Sequence, residues 1–152
     1  MKKSITKELL IAGMEIRTRN DAGQAEQAIP QLWGKFMQAN IAEKLSDLAC
    51  STMYAVYTDY EGDHTKPYTM MLGFEVTSGE NVPKDLTVKT IPVAEYETFT
   101  AKGNLTENAV IDAWTKIWQS DLNRTYKTDI EVYGEKAMDP TNGEAEIWIG
   151  VK

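Results

Sequence analysis

The chain repeats itself, and the repeat limits what it can fold into. "AIPQLWGKFMQA" (Ala28–Ala39) and "AVIDAWTKIWQS" (Ala109–Ser120) align without gaps, 81 residues apart. Ala28 falls on Ala109, Trp33 on Trp114, Lys35 on Lys116 and Gln38 on Gln119. In both segments apolar residues recur at three- and four-residue steps: Ile29–Leu32/Trp33–Phe36/Met37 and Val110–Ala113/Trp114–Ile117/Trp118. That spacing predicts two amphipathic helices. "GNLTEN" before the second supplies Asn104 or Thr106 as its N-cap.

The segments around each helix correspond as well. "YAVYTDY" (Tyr54–Tyr60) matches "IEVYGEK" (Ile130–Lys136), with Val56 on Val132 and Tyr57 on Tyr133. "MLGF" (Met71–Phe74) matches "WIGV" (Trp148–Val151), with Gly73 on Gly150. Ahead of the helices stand "LLIAGMEIRTRN" and "LTVKTIPVAEYETFTAKG", each alternating polar and apolar over part of its length. Each half therefore reads strand–helix–strand–strand. The halves span about residues 5–77 and 84–152, joined by the turn-rich "TSGENVPKD" (Thr77–Asp85). The expected fold class is α+β: two pseudo-symmetric β-α-β-β repeats within one domain over residues 1–152. A three-stranded sheet with a helix on one face leaves its other face uncovered. The halves are expected to bury those faces on each other or to flank a cleft, and small-molecule sites often lie at such junctions.

Composition excludes several functions. The net charge is −7, and no basic run longer than two residues offsets it, which argues against direct nucleic-acid binding. The same acidity favours cationic small partners. "LLIAGM" near the N-terminus is too short for a signal-peptide core or a membrane span, so the chain is read as soluble and cytoplasmic, with no membrane partner. One cysteine, Cys50, permits no intrachain disulfide and no cysteine-based metal site; it reads as a small buried hydrophobe. His64, in "YEGDHTKPY" beside Glu61 and Asp63, reads as a loop histidine rather than a metal ligand. The G-x-S-x-G, H-E-x-x-H and phosphate-loop patterns do not occur. No catalytic residue, metal or cofactor is expected.

One residue stands out against this background. In "TDIEVYGEK" (Thr128–Lys136), Ile130 and Val132 share one face of a strand, and Glu131 and Tyr133 share the other. Glu131 is either a solvated strand glutamate or a carboxylate held in an apolar groove. Its repeat mate Ala55 is small and apolar, which argues for an inner face. A carboxylate there would prefer a proton, and a bound cation would reverse that preference.

The order "GMEIRTRN", "YAVYTDYEGDHTKPYTMMLGFEV", "IPVAEYETFTAKG", a helix with "W..IW", "DIEVYGE" and "AEIWIGVK" resembles the gyrase-inhibitor-like effector-binding domains over nearly the whole chain. These are also the ligand-sensing halves of many AraC-type and MerR-type regulators. The resemblance implies a ligand groove between the two repeats and amphipathic, often cationic, aromatic ligands. It implies that the acid of the "E.Y" strand motif, here Glu131 with Tyr133, is the counter-charge. Trp114 and Trp118 match the family's helical tryptophan pattern. The chain departs from the family's "IPAG.Y", having Val93-Ala94-Glu95 before Tyr96. No helix–turn–helix segment flanks the repeats, so a stand-alone form is expected.

The remaining candidates are aromatic or soft. Tyr57 and Tyr133 are repeat mates on the face inferred for Glu131 and would line opposite walls of one cleft. Trp118 aligns with Met37 and so departs from the symmetry, which makes it a groove candidate. Trp33 and Trp148 are read as core. Tyr54, Tyr68 and Met70 complete the expected ligand-binding set, with core filling an open alternative for Met70. The expected partner is a hydrophobic or cationic small molecule. Two other readings stay open: a hydrolase using the same glutamate as general base, as implied by some relatives, and a protein-interaction role with gyrase or a transcription factor.

Overall fold

The computed structural model describes residues 2–5, 8–19, 24–39, 41–45, 48–62, 66–80, 82–105, 109–134 and 140–151. Its strands are β1 (Lys2–Ile5), β2 (Leu9–Thr18), β3 (Leu48–Thr58), β4 (Tyr68–Val76), β5 (Thr87–Ile91), β6 (Ala94–Gly103), β7 (Arg124–Tyr133) and β8 (Gly143–Val151). The helices are α1 (Gln24–Ala39), the short α2 (Ile41–Lys44) and α3 (Ala109–Gln119). Each half thus runs strand–helix–strand–strand, β2-α1-β3-β4 and β6-α3-β7-β8, as the repeat predicts. Thr106, His64 and Asp63 lie outside the described residues, as does the side chain of Cys50.

The halves do not form two separate sheets. All eight strands make one antiparallel sheet in the order β1-β6-β8-β7-β3-β4-β2-β5. The join is β3 against β7, with Ala55 opposite Glu131, Met53 opposite Tyr133 and Tyr57 opposite Asp129. Each half also lends a strand to the other: β5 pairs with β2 of the first half, and β1 pairs with β6 of the second. The segment before the second helix, read as one alternating stretch, is two strands broken at Pro92, which has no N–H to give to a ladder.

Two residues connect β5 to β6, although the strands stand near opposite ends of the sheet order. Two residues span only about 10 Å, so the sheet must curl until its ends meet. Curling creates a core on the helix-free face, where Ile11, Tyr54, Val56, Met71, Ile91, Tyr96, Ile130 and Trp148 cluster. The uncovered faces expected of the two halves are therefore buried within one curled sheet. Burial on both sides explains why β4 is buried without a break from Tyr68 to Gly73.

The two long helices, α1 and α3, lie on the other face. Leu32 and Phe36 of α1 pack on Ala12, Ala55, Met70 and Leu72. Ala113, Trp114 and Ile117 of α3 pack on Ala101, Ile147 and Ile149. Helix α1 lies over β2 and β4, and α3 over β6. The central strands β3 and β7 form the strip between them.

Candidate functional site

Glu131 stands in the middle of this strip. The residue is 3% exposed, and its carboxylate takes three hydrogen bonds. Tyr57 Oη donates to Oε2 at 2.7 Å, Trp114 Nε1 donates to Oε2 at 2.6 Å, and Tyr133 Oη donates to Oε1. Burial pushes the carboxyl pKa above its ordinary value, and the three donors oppose that shift without cancelling it. Burial likewise lifts Tyr57 and Tyr133 well above the usual phenol range, and the neighbouring Glu131 adds to it. These phenols stay protonated and keep donating at neutral pH. An ionised carboxylate offers about four acceptor positions; the described residues fill two on Oε2 and one on Oε1.

The placement follows from the repeat. Residues of β3 map onto β7 at a spacing of 76, so Ala55 maps onto Glu131 and Tyr57 onto Tyr133. Ala55 and Glu131 are also direct cross-strand partners. The approximate two-fold axis relating the halves therefore passes between them, and the carboxylate lies on it. Ala55, fully buried, leaves the space above the strand pair to the glutamate.

The rings around Glu131 obey the same symmetry. Tyr57 meets Trp114 edge to face with centroids 5.4 Å apart, and Tyr133 meets Trp33 in the same manner at 5.5 Å. Each pair takes its tyrosine from one half and its tryptophan from the other. Behind them Tyr68 lies 5.9 Å from Tyr57 and 5.6 Å from Tyr60. Burial and then Glu131 push the Tyr68 hydroxyl up to about 12. Trp118 lies 6.1 Å from Trp114 and is 45% exposed, and its repeat mate Met37 is 66% exposed on α1. The two side chains mark an apolar outer rim.

The structure thus brings together six of the eight residues singled out from the sequence: Glu131, Tyr133, Tyr57, Trp114, Trp118 and Tyr68. Met70, fully buried opposite Tyr57, belongs to the core beneath α1. Tyr54 is on the wrong face. It sits three residues from Tyr57 on one strand, so the two point to opposite sides, and Tyr54 packs with Val56 and Ile130. Trp33, read as core, is half-buried against the core cluster beneath α1, and its ring also meets Tyr133.

Sequence reasoning also missed a second buried acid. Asp129, fully buried, accepts from Arg124 at 2.7 Å, Tyr60 at 2.6 Å and the Gly150 amide at 2.9 Å. Arg124 is buried too and stacks over Tyr126, whose φ of 54° belongs to the irregular stretch of β7 between Arg124 and Asp129. Asp129 is ion-paired with its arginine, whereas Glu131 has no cationic partner among the described residues. A separate concavity of about 420 Å³, lined by Pro92, Tyr96, Thr125, Lys127, Thr128 and Gly150 among others, shares no lining residue with the Glu131 cluster. Among the described residues no group of histidine, cysteine and carboxylates could hold a metal ion, and no helix is long and apolar enough to cross a membrane.

The chain is similar to known proteins over nearly its whole length. The family model of Cass2, the integron-associated effector-binding proteins, matches residues 5–151. The integron cassette protein VCH_CASS2 of Vibrio cholerae is similar in structure, with a TM-score of 0.77 and 28% identity over 100% of this chain and 95% of that one. SAV2435, solved bound to tetraphenylphosphonium, shares the fold with a TM-score of 0.80 and 20% identity, covering 100% of this chain and 93% of its own. A Bacillus subtilis protein, YobU, named as a transcriptional regulator, is 27% identical over 145 residues, 93% of this chain and 91% of that one. The resemblance to gyrase-inhibitor-like effector-binding domains is thereby borne out.

Proposed function

The chain belongs to the Cass2 family of integron-associated effector-binding proteins, and from that premise we propose that it captures an amphipathic organic cation between α1 and α3. Glu131 supplies the counter-charge, and Tyr57, Tyr133, Trp33 and Trp114 supply the walls. Trp118 and Tyr68 extend the aromatic surface outward and inward. The observation that carries this reading is a carboxylate with no cationic partner among the described residues, almost wholly buried and ringed by aromatic faces. A unit cation about 4 Å away at an effective dielectric of about 20 gains roughly 4 kcal/mol before desolvation. Each aromatic face adds about 0.5–2 kcal/mol. Tetraphenylphosphonium, the ligand of the similar fold SAV2435, is a cation of this class.

The test is a calorimetric titration of wild type and Glu131→Gln with tetraphenylphosphonium and with a neutral tetraaryl compound of the same shape. The cation is expected to lose at least tenfold in affinity on substitution, and the neutral compound little. Equal losses for both would overturn the counter-charge.

A further inference from the structure

The approximate two-fold axis through Glu131 has a consequence for ligand shape. The carboxylate is on the axis, and the flanking rings are off it in two matched sets, Tyr57 with Trp114 and Tyr133 with Trp33. A positive centre over Glu131 meets an equivalent aromatic wall on either side. We propose that the site is a two-sided clamp selecting cations with two aromatic arms on one charged centre, and that a one-armed cation occupies it in two near-equivalent orientations. The proposal rests on the cation-binding reading above and adds the shape rule.

Three observations support it. The mates are identical residues, tyrosine on tyrosine and tryptophan on tryptophan, so both arms meet the same chemistry. The two ring pairs have nearly the same geometry, 5.4 Å at 69° and 5.5 Å at 87°. Each wall is built from both halves, so neither half holds an arm alone. One bond breaks the symmetry: the Trp114 indole donates to Glu131, while the hydrogen bonds to Glu131 include none from Trp33. Both donors on Oε2 come from the Tyr57–Trp114 side, and the donor on Oε1 comes from the other.

Symmetry makes a quantitative prediction. If a one-armed cation has two equal orientations, its binding constant is the sum of two equal terms. Removing one wall then halves it, and removing both abolishes the aromatic contribution. A two-armed cation uses both walls at once and loses a full arm when either is removed.

The experiment measures the affinities of benzyltrimethylammonium, with one arm, and dibenzyldimethylammonium, with two, by calorimetry. The proteins are wild type, Trp33→Leu, Trp114→Phe and Glu131→Gln. Trp33→Leu is expected to weaken the one-armed probe by about twofold and the two-armed probe by about tenfold. Trp114→Phe keeps a ring and drops the indole bond to Glu131, and is expected to change the ratio of the two affinities by less than twofold. It also keeps the comparison possible should larger changes at this buried position unfold the protein. Equal losses of both probes in Trp33→Leu would make Trp33 a wall every ligand uses and would overturn the clamp. No loss of either would remove Trp33 from the site and would overturn the clamp as well. Failure of both probes to bind wild type, or binding indifferent to Glu131→Gln, would instead overturn the cation-binding reading.

Discussion

Replacing Glu131 by glutamine should delete one pH-dependent step from the stability of the protein. Glu131 is 3% exposed, and burial raises its carboxyl pKa despite three hydrogen bonds to the charged form. In the unfolded chain it returns to the ordinary glutamate value, about 4.3. At any pH between the two values the folded protein holds a proton that the unfolded chain has released. The resulting stabilisation is complete below the unfolded pKa and is lost as pH rises through the folded one. Each tenfold difference in proton affinity is worth about 1.4 kcal/mol. In a chain this long, 1 kcal/mol moves Tm by roughly 2–4 °C, so a tenfold difference is a fall of about 3–6 °C.

The glutamine variant carries no charge at any pH. Its amide oxygen accepts from the same donors, and whatever it loses in hydrogen bonding is constant across the range. The measurement is thermal unfolding of both proteins, followed by circular dichroism from about pH 4 to about pH 8. The wild-type Tm minus the variant Tm is expected to fall with rising pH and then level off once the folded carboxyl has ionised. Tyr57 and Tyr133, with pKa values well above the usual phenol value, do not titrate in this window. A difference that stays flat would mean that Glu131 ionises alike in both states. One that rises with pH would mean that the three donors outweigh burial, and either result would refute the reasoning.

Three further predictions concern the frame around the site. Asp129→Asn leaves the Arg124 guanidinium buried without its counter-charge; breaking such a pair costs about 3–5 kcal/mol, so calorimetry should find Tm lowered by roughly 6–20 °C, and a loss under about 1 kcal/mol would mean the pair is solvated. Gly13→Ala sets a Cβ 1.9 Å from the Leu72 carbonyl oxygen, across from Gly73, and should destabilise by at least about 1–3 kcal/mol. Gly34→Ala, at an exposed position of α1 where a Cβ meets nothing within 4 Å, should instead stabilise by up to about 1 kcal/mol by the same calorimetry.

What could be read from the sequence was whatever the repeat spelled out in matching letters. Trp33 with Trp114, Tyr57 with Tyr133 and Gly73 with Gly150 gave the order of elements and the face of Glu131 without any structure. The same signal reaches further: if Trp114 stands beside Glu131, its mate Trp33 belongs there too, and strand parity alone separates Tyr54 from Tyr57. Other features had no local signal. The exchange of β1 and β5 between halves is a choice of pairing partner, and hydrophobic alternation does not encode partners. The Arg124–Asp129 pair depends on the irregular stretch that brings Arg124 back onto its own strand, and on Tyr126 at positive φ, a conformation tyrosine seldom adopts.

The duplicated fold also explains why the site breaks its symmetry where it does. A residue on the axis faces its own mate across the β3–β7 pair, with Cβ atoms about 4.5–5.5 Å apart. Two glutamates there would set like charges directly opposite one another in a buried strip, and one would have to stay protonated. A single negative charge on the axis therefore requires one mate to give up its carboxylate and its volume, and alanine at position 55 does both. Off the axis no such conflict exists. Tyr57 and Tyr133 can both donate to one carboxylate, and Trp33 and Trp114 can both stand against them, because each occupies its own side. Symmetric walls around an asymmetric centre follow from running β3 against β7 in this register, and Ala55→Glu is the substitution this arrangement should tolerate least.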